Sequence, residues 1–403
     1  MRLWMMVGMC FSALACFGGD WFQYRGPDRN GVSNEKGLIR GWSEQGPREL
    51  WRIELGPGFS GMSISDGRVY SMDSDTESEY AISLDAASGK VVWRVKVGEL
   101  FTNNFGNGPR STPTVDGDRV YVLGSMGNLH ALNKSDGAVL WSVDFKAEFE
   151  AKVLNWAFCA SPLVFDDQLI MEAGGTADRA IVSFDKNTGK VKWTAHEEQI
   201  AYSSPIAITF NGKRQLVFMT AKHIFALDRT GKELWRSEFV PRVNIKPAMP
   251  VFVAPDLIFA SASYDAGAKA IRLVADGDGV KAEDVWSSKV MRNHFNTSVA
   301  LDGHLYGFDK GMLKCIEAAT GTQKWVTRGL GKGSLIYADG MLIVLSERGK
   351  LQLAEASTES FKPLASHQVL KGRCWTQPTL TDGRLYVRNG EELVCIDMKA
   401  SRG

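Results

Sequence analysis

Short apolar runs separated by polar turns recur along nearly the whole chain. From Ser111 the order is STPTVDG, DRVYVLGS, GNLHALN, the turn KSDG, then AVLW ending at Trp141. Each run is four to six residues long, partly alternating, and bounded by Gly or Asp, which is the pattern of short strands rather than helices. The same order returns as ASPLVFDD through KVKW at Trp193, as SSPIAITFNG through KELW at Trp235, and earlier as MSISDG through KVVW at Trp93. Looser copies occupy 248–286 and 297–325, a seventh starts at Gly333, and an eighth starts at Thr376.

The eighth copy stops after three strands, whereas ELWRIEL around Trp51 is a lone fourth strand with none before it. Those two leftovers complete each other. The pattern predicts an all-β, eight-bladed β-propeller with four antiparallel strands per blade, closed by the N-terminal strand near Trp51 joining the last blade. A seven-bladed ring is the alternative if one of the looser copies forms no blade. Blade-ending Trp residues at 51, 93, 141, 193, 235, 286 and 325 are separated by 39 to 52 residues, the length of a blade. In five copies a Gly precedes the Trp by four residues (Gly89, Gly137, Gly189, Gly231, Gly321) and supplies the turn between third and fourth strands. The Trp then falls on the outer strand, where its face is placed to stack on the neighbouring blade.

Composition narrows the function classes. The chain has 47 Lys plus Arg against 46 Asp plus Glu, a formal charge of +1, so no basic excess exists to bind nucleic acid. Its six Cys form no CxxC or Cys-Cys pair, which argues against zinc ribbons, thiol redox chemistry and a disulfide framework. Arg2 followed by an apolar stretch and Ala13-Leu14-Ala15 reads as a secretory leader over 1–15. Cys16 directly after it offers a lipid-attachment position, and no later segment has the length of a transmembrane helix. The organisation expected is therefore leader 1–15, N-terminal extension 16–46 and propeller 47–403, in an exported, periplasmic or extracellular protein.

Several local motifs fail on context. Gly174-Gly175 and GLGKG at 329–333 open no helix after a strand, so neither is a phosphate loop. Asp276-Gly277-Asp278-Gly279 lacks the later ligands of a calcium loop and is a hairpin turn. No His pair has metal-ligand spacing, and no metal site is expected.

The repeats SFDKNTGKVKW (183–193), SLDAASGKVVW (83–93), ALNKSDGAVLW (131–141) and ALDRTGKELW (226–235) resemble the pyrroloquinoline-quinone (PQQ) repeat of the PQQ-like propeller family. That resemblance implies one of two roles. Quinoprotein dehydrogenases hold PQQ with Ca²⁺ at the propeller axis and oxidise alcohols or sugars; BamB-type propellers bind no quinone and act as envelope scaffolds. The segments DWFQYRGPDRNGVS (20–33), NFGNGPRSTPTVDG (104–117) and FCASPLV (158–164) are similar to secreted PQQ-like proteins of environmental bacteria. Against the enzyme pattern, the chain has neither the adjacent cysteines nor a CxxCH haem site. No motif assigns catalytic residues.

In a propeller, the loops entering each innermost strand converge on one mouth of the central channel. Here they carry the candidate binding residues Arg110, Asn155, Trp156, Tyr202, Lys246, His294, Lys332, Arg373 and Trp375, with Asn107, Asn244, Arg292 and Asn296 beside them. Five cations and no carboxylate make a basic funnel suited to a protein segment or a small anion. The expected function is a non-catalytic, BamB-like binding or scaffold protein, with a PQQ-dependent alcohol or sugar dehydrogenase as the alternative.

Overall fold

The computed structural model of the chain describes residues 19–400, so the expected leader and Cys16 lie outside the described residues. Eight sheets of four antiparallel strands form eight blades in chain order, the seventh carrying a fifth, parallel strand. The first is Ser63–Ser65, Arg68–Ser74, Ser78–Asp85 and Val91–Glu99, and each later blade repeats that inner-to-outer order. The ring closes as expected. Strand Glu49–Glu54 pairs antiparallel with Glu392–Asp397 and is the outermost strand of the last blade.

Turn chemistry explains the blade hairpins. Inner and second strands are joined by two-residue turns such as Asp66-Gly67 (φ 49° and 71°) and Asp302-Gly303 (φ 45° and 73°). Positive φ at both positions is what a type I′ turn requires, and it matches the twist of the flanking strands. The DGDG stretch is likewise the tip of a hairpin, with Asp276 paired to Gly279.

The core lies in the seams between blades. Tyr70, Met72 and Ala81 of the first blade pack against Val115, Val120, Val122 and Leu132 of the second, and similar clusters recur around the ring. At the outer end of a seam the blade-ending Trp docks on the next blade. Trp93 donates from Nε1 to the Lys134 carbonyl at 3.1 Å, Trp141 to Lys186 at 3.1 Å and Trp286 to Ala318 at 2.9 Å. The indole face covers the next turn's Gly: a Cβ on Gly137 would sit 2.9 Å from the Trp93 ring. Trp235 departs from this scheme, donating instead to Gln215 of its own blade at 2.7 Å.

The inner end of the ring is laced by hydroxyls. Gly61 N–H donates to Thr112 Oγ1 at 3.0 Å, Thr112 N–H to Ser161 Oγ at 3.0 Å, and Ser161 N–H to Ser204 Oγ at 2.8 Å. In these three seams the Ser or Thr just before an inner strand thus satisfies a buried amide of the preceding blade. One short helix, Phe145–Phe149, caps the second blade. Among the described residues no helix is long and apolar enough to cross a membrane.

Candidate functional site

Because successive strands alternate in direction, every connection between blades crosses on one face, and the Asp-Gly turns lie on the other. The crossing loops surround a cavity of about 310 Å³ at the channel mouth. Arg110, Trp156, Tyr202, His294, Lys332, Arg373 and Trp375 all line it.

Two of the other candidates lie elsewhere. Lys246 is fully buried behind the wall, its Nζ donating to the carbonyls of Thr220, Ala221 and Phe239 at 2.6, 2.8 and 2.6 Å. Asn155 is exposed and offers its carbonyl to the Asn103 side chain at 3.1 Å. Arg292 is also spent, paired through Nε and Nη2 with Asp309 at 2.7 and 2.8 Å. Asn244 donates to the Ile200 carbonyl at 3.1 Å, Asn296 to that of Gly333, and Asn107 accepts from the Asn103 amide at 3.0 Å. Of five expected cations, three therefore reach the cavity.

The wall is an aromatic belt. Phe295 and Trp375 lie 4.8 Å apart between ring centroids, Phe59 and Trp375 5.5 Å, and Trp156 and Tyr202 5.7 Å. The cations lie on this belt. The Arg373 guanidinium sits 4.3 Å over Trp375 and that of Arg110 4.8 Å over Phe101, contacts favourable to a cation and to a planar fork. Arg373 also donates to the Phe105 carbonyl, and Arg110 to Gly106 at 2.8 Å, so both are fixed in place. Trp375 Nε1 donates at 2.9 Å to Glu347, which stands behind the belt.

Burial sets the protonation states. It lowers the His294 pKa to about 4, with the nearby Lys332 charge adding to the effect, so the imidazole is neutral. One ring nitrogen, Nε2, meets the Tyr264 hydroxyl at 3.1 Å; Nδ1 is buried without a partner among the described residues. Cys159 at the cavity floor donates to the Trp156 carbonyl at 3.1 Å, and burial pushes its pKa up to about 11, so the thiol stays protonated and unreactive. The hydroxyls of Thr112, Ser161 and Ser204 accept the inter-blade amides described above. What remains is a fixed, positive, aromatic-walled recess suited to binding.

The floor comes from a segment that sequence reasoning left outside the site. Residues 21–33 enter the channel from the face opposite the mouth and return to it. Trp21 bridges to Ile64, the Val115 amide donates to the Phe22 carbonyl at 2.7 Å, and Val32–Ser33 pairs parallel with the inner strand Ser334–Ala338. Tyr24, near the tip, lines the cavity. Two arginines lock this hairpin without any carboxylate. Arg25 donates to the carbonyls of Thr297 and Ser298 and to Gln377 at 2.9–3.0 Å, and Arg29 to Gln23 at 2.9 Å and to the carbonyls of Ser161, Pro162 and Pro205. Burial lowers their pKa values to about 10 and about 9 respectively, and both remain charged at neutral pH. The visible signal was RGPDRNG, a turn-rich run with two Arg that belongs to no blade.

Comparison with known proteins adds four findings. A family model described as outer membrane protein assembly factor BamB matches residues 35–123 and 77–327. The outer membrane protein assembly factor BamB of Shewanella oneidensis is 22% identical over 375 residues, covering 85% of this chain and 86% of that protein. A quinoprotein ethanol dehydrogenase of Pseudomonas putida is 25% identical over 162 residues, which cover 36% of this chain and 26% of that enzyme. Among solved structures, BamB from Moraxella catarrhalis superposes with a TM-score of 0.56 at 17% identity, over 88% of this chain and 99% of the other, a likeness of fold.

Proposed function

The chain belongs to the family of PQQ-like propellers described as outer membrane protein assembly factor BamB, and from that membership we propose that it is an exported, non-catalytic binding propeller of the cell envelope. Its working surface is the channel mouth, which engages a protein partner in the manner of an assembly scaffold. The leader over 1–15 carries it across the inner membrane, and Cys16 is its point of attachment.

The lining of the mouth carries this reading. No Asp or Glu is among the residues that line the cavity, and three cations are. Ca²⁺ takes six to eight oxygen ligands, carboxylates prominent among them. Arg110, Lys332 and Arg373 would repel that ion, and no group of three or more His, Cys, Asp or Glu that could hold a metal occurs among the described residues. The donor set does not fit a Ca²⁺–quinone centre, and the similarity to the quinoprotein enzyme spans only about a quarter of it.

In-cell photo-crosslinking tests the proposal. A crosslinking residue is placed at Phe105 or Tyr264 on the mouth rim, or at Asp302 on the opposite face. Adducts with an envelope assembly protein from the rim positions, absent from position 302, are expected. Adducts from Asp302 alone, or recovery of the chain in the cytosolic fraction with its leader uncut, would overturn it.

A further inference from the structure

The chemistry of the mouth narrows the kind of partner, given the binding role proposed above. We propose that the cavity receives an aromatic side chain from an acidic segment of the partner, the ring entering the recess and the flanking carboxylates meeting Arg110, Lys332 and Arg373.

Four observations carry this. First, the recess is blind, because the hairpin 21–33 fills the channel beneath it and Tyr24 closes its floor. A blind cavity of about 310 Å³ lies at the small end of ligand pockets and accepts one ring rather than a strand passing through. Second, its walls are aromatic, with Phe59, Phe295, Trp156 and Trp375 presenting ring faces and edges.

Third, the residues that line it include three cations and no Asp or Glu. Lys332 Nζ lies 5.9 Å from the Trp375 ring centroid and has no ion-pair partner among the described residues. Arg25 and Arg29 add buried positive charge directly below the floor, with no carboxylate bonded to either. Two carboxylates stand behind the wall, Glu347 held by Trp375 Nε1 and the Lys332 amide and Glu79 by the Ser125 amide, so cations outnumber them at the mouth. Fourth, the surrounding rim exposes apolar side chains on several loops. Phe105 is 53% exposed, Val240 57%, Val243 42% and Tyr264 42%. An anchor pocket inside an apolar rim is the arrangement of a protein-contact hot spot. His294 adds a buried ring nitrogen without a partner beside the cavity, which a bound main-chain or side-chain group satisfies.

Calorimetry on the full mature chain tests it with four capped nonapeptides of one scaffold, Gly-Ser-X-X-Z-X-X-Ser-Gly. X is Asp, Asn or Lys around a central Phe, and the fourth peptide keeps Asp around a central Ala. The Asp–Phe peptide is expected to bind saturably, at least about 5-fold tighter than the Asn–Phe and Asp–Ala peptides. The Lys–Phe peptide should show no binding. In the double variant Lys332→Gln, Arg373→Gln, whose folding is checked by its melting curve, the Asp–Phe advantage over the Asn–Phe peptide should shrink, Arg110 alone remaining to meet the carboxylates. Affinity of the Asn–Phe peptide should change by a smaller factor than that of the Asp–Phe peptide, because Arg373 also stacks on Trp375.

Equal affinities for the Asp–Phe and Asn–Phe peptides, or for Phe and Ala, would overturn the assignment, as would no binding by any of them. If rim crosslinks to an envelope protein persist while every peptide fails, this partner chemistry falls and the binding role stands. Peptide binding without rim crosslinks refutes the binding role in the envelope instead.

Discussion

Substituting Gly137 tests the seam. Its φ is 78°, so any Cβ there carries the left-handed cost of about 1–2 kcal/mol. Space is the second cost. The Cβ of Gly137→Ala would lie 2.8 Å from Val95 Cγ2 and 2.9 Å from the Trp93 ring, closer than carbon atoms pack. Overpacking of this kind costs a further 1–3 kcal/mol or so. Gly67 provides the control, with φ 71° and nothing within 4 Å of a Cβ. Gly67→Ala should therefore lose about 1–2 kcal/mol and Gly137→Ala about 2–5 kcal/mol, measured from urea midpoints at matched slopes. In a Trp93→Ala background the excess should shrink, because the ring that the new methyl meets is gone. Equal losses for the two glycine variants would refute the seam account, as would an excess undiminished by removal of Trp93, Val95 keeping only its own share of it.

Two further outcomes are expected. Arg29→Met strips the donors from the carbonyls of Ser161, Pro162 and Pro205, at a cost of about 2–4 kcal/mol, and amides of residues 22–31 should lose exchange protection before those of the blades; unchanged protection would mean that the arginine does not hold the hairpin. Glu172 is buried with neither carboxylate oxygen hydrogen-bonded among the described residues, and burial raises its pKa well above the ordinary 4.5. The folded state then holds a proton that the unfolded state has released, so this group's contribution falls as pH rises above 4.5. Glu172→Gln should match the parent near pH 4 and exceed its stability near pH 8, as read by melting temperature, and a variant less stable at pH 8 would contradict that burial.

The blades, the seam and the closing strand were legible because each is written in local, repeated signals. Gly137 four residues before Trp141, or three strands after Thr376 matched by one at Trp51, needs no knowledge of distant contacts. Side-chain direction in the crossing loops is another matter. Lys246 and Lys332 both precede an inner strand, yet one turns back into three carbonyls of the neighbouring blade and the other faces the cavity. Arg292 was lost to Asp309, a partner seventeen residues away whose role depends on the fold. The channel hairpin was illegible for the same reason. Arg25 meets Gln377 across 352 residues of sequence, and such a pairing has no local signature.

The proposed role, a mouth that binds rather than catalyses, is tested by calorimetry with PQQ and Ca²⁺ beside dye-linked oxidation of alcohols and sugars. The cationic lining predicts no Ca²⁺-dependent binding of the quinone and no turnover above the protein-free control. Ca²⁺-dependent PQQ binding accompanied by substrate oxidation, lost in a Lys332→Gln variant, would contradict it.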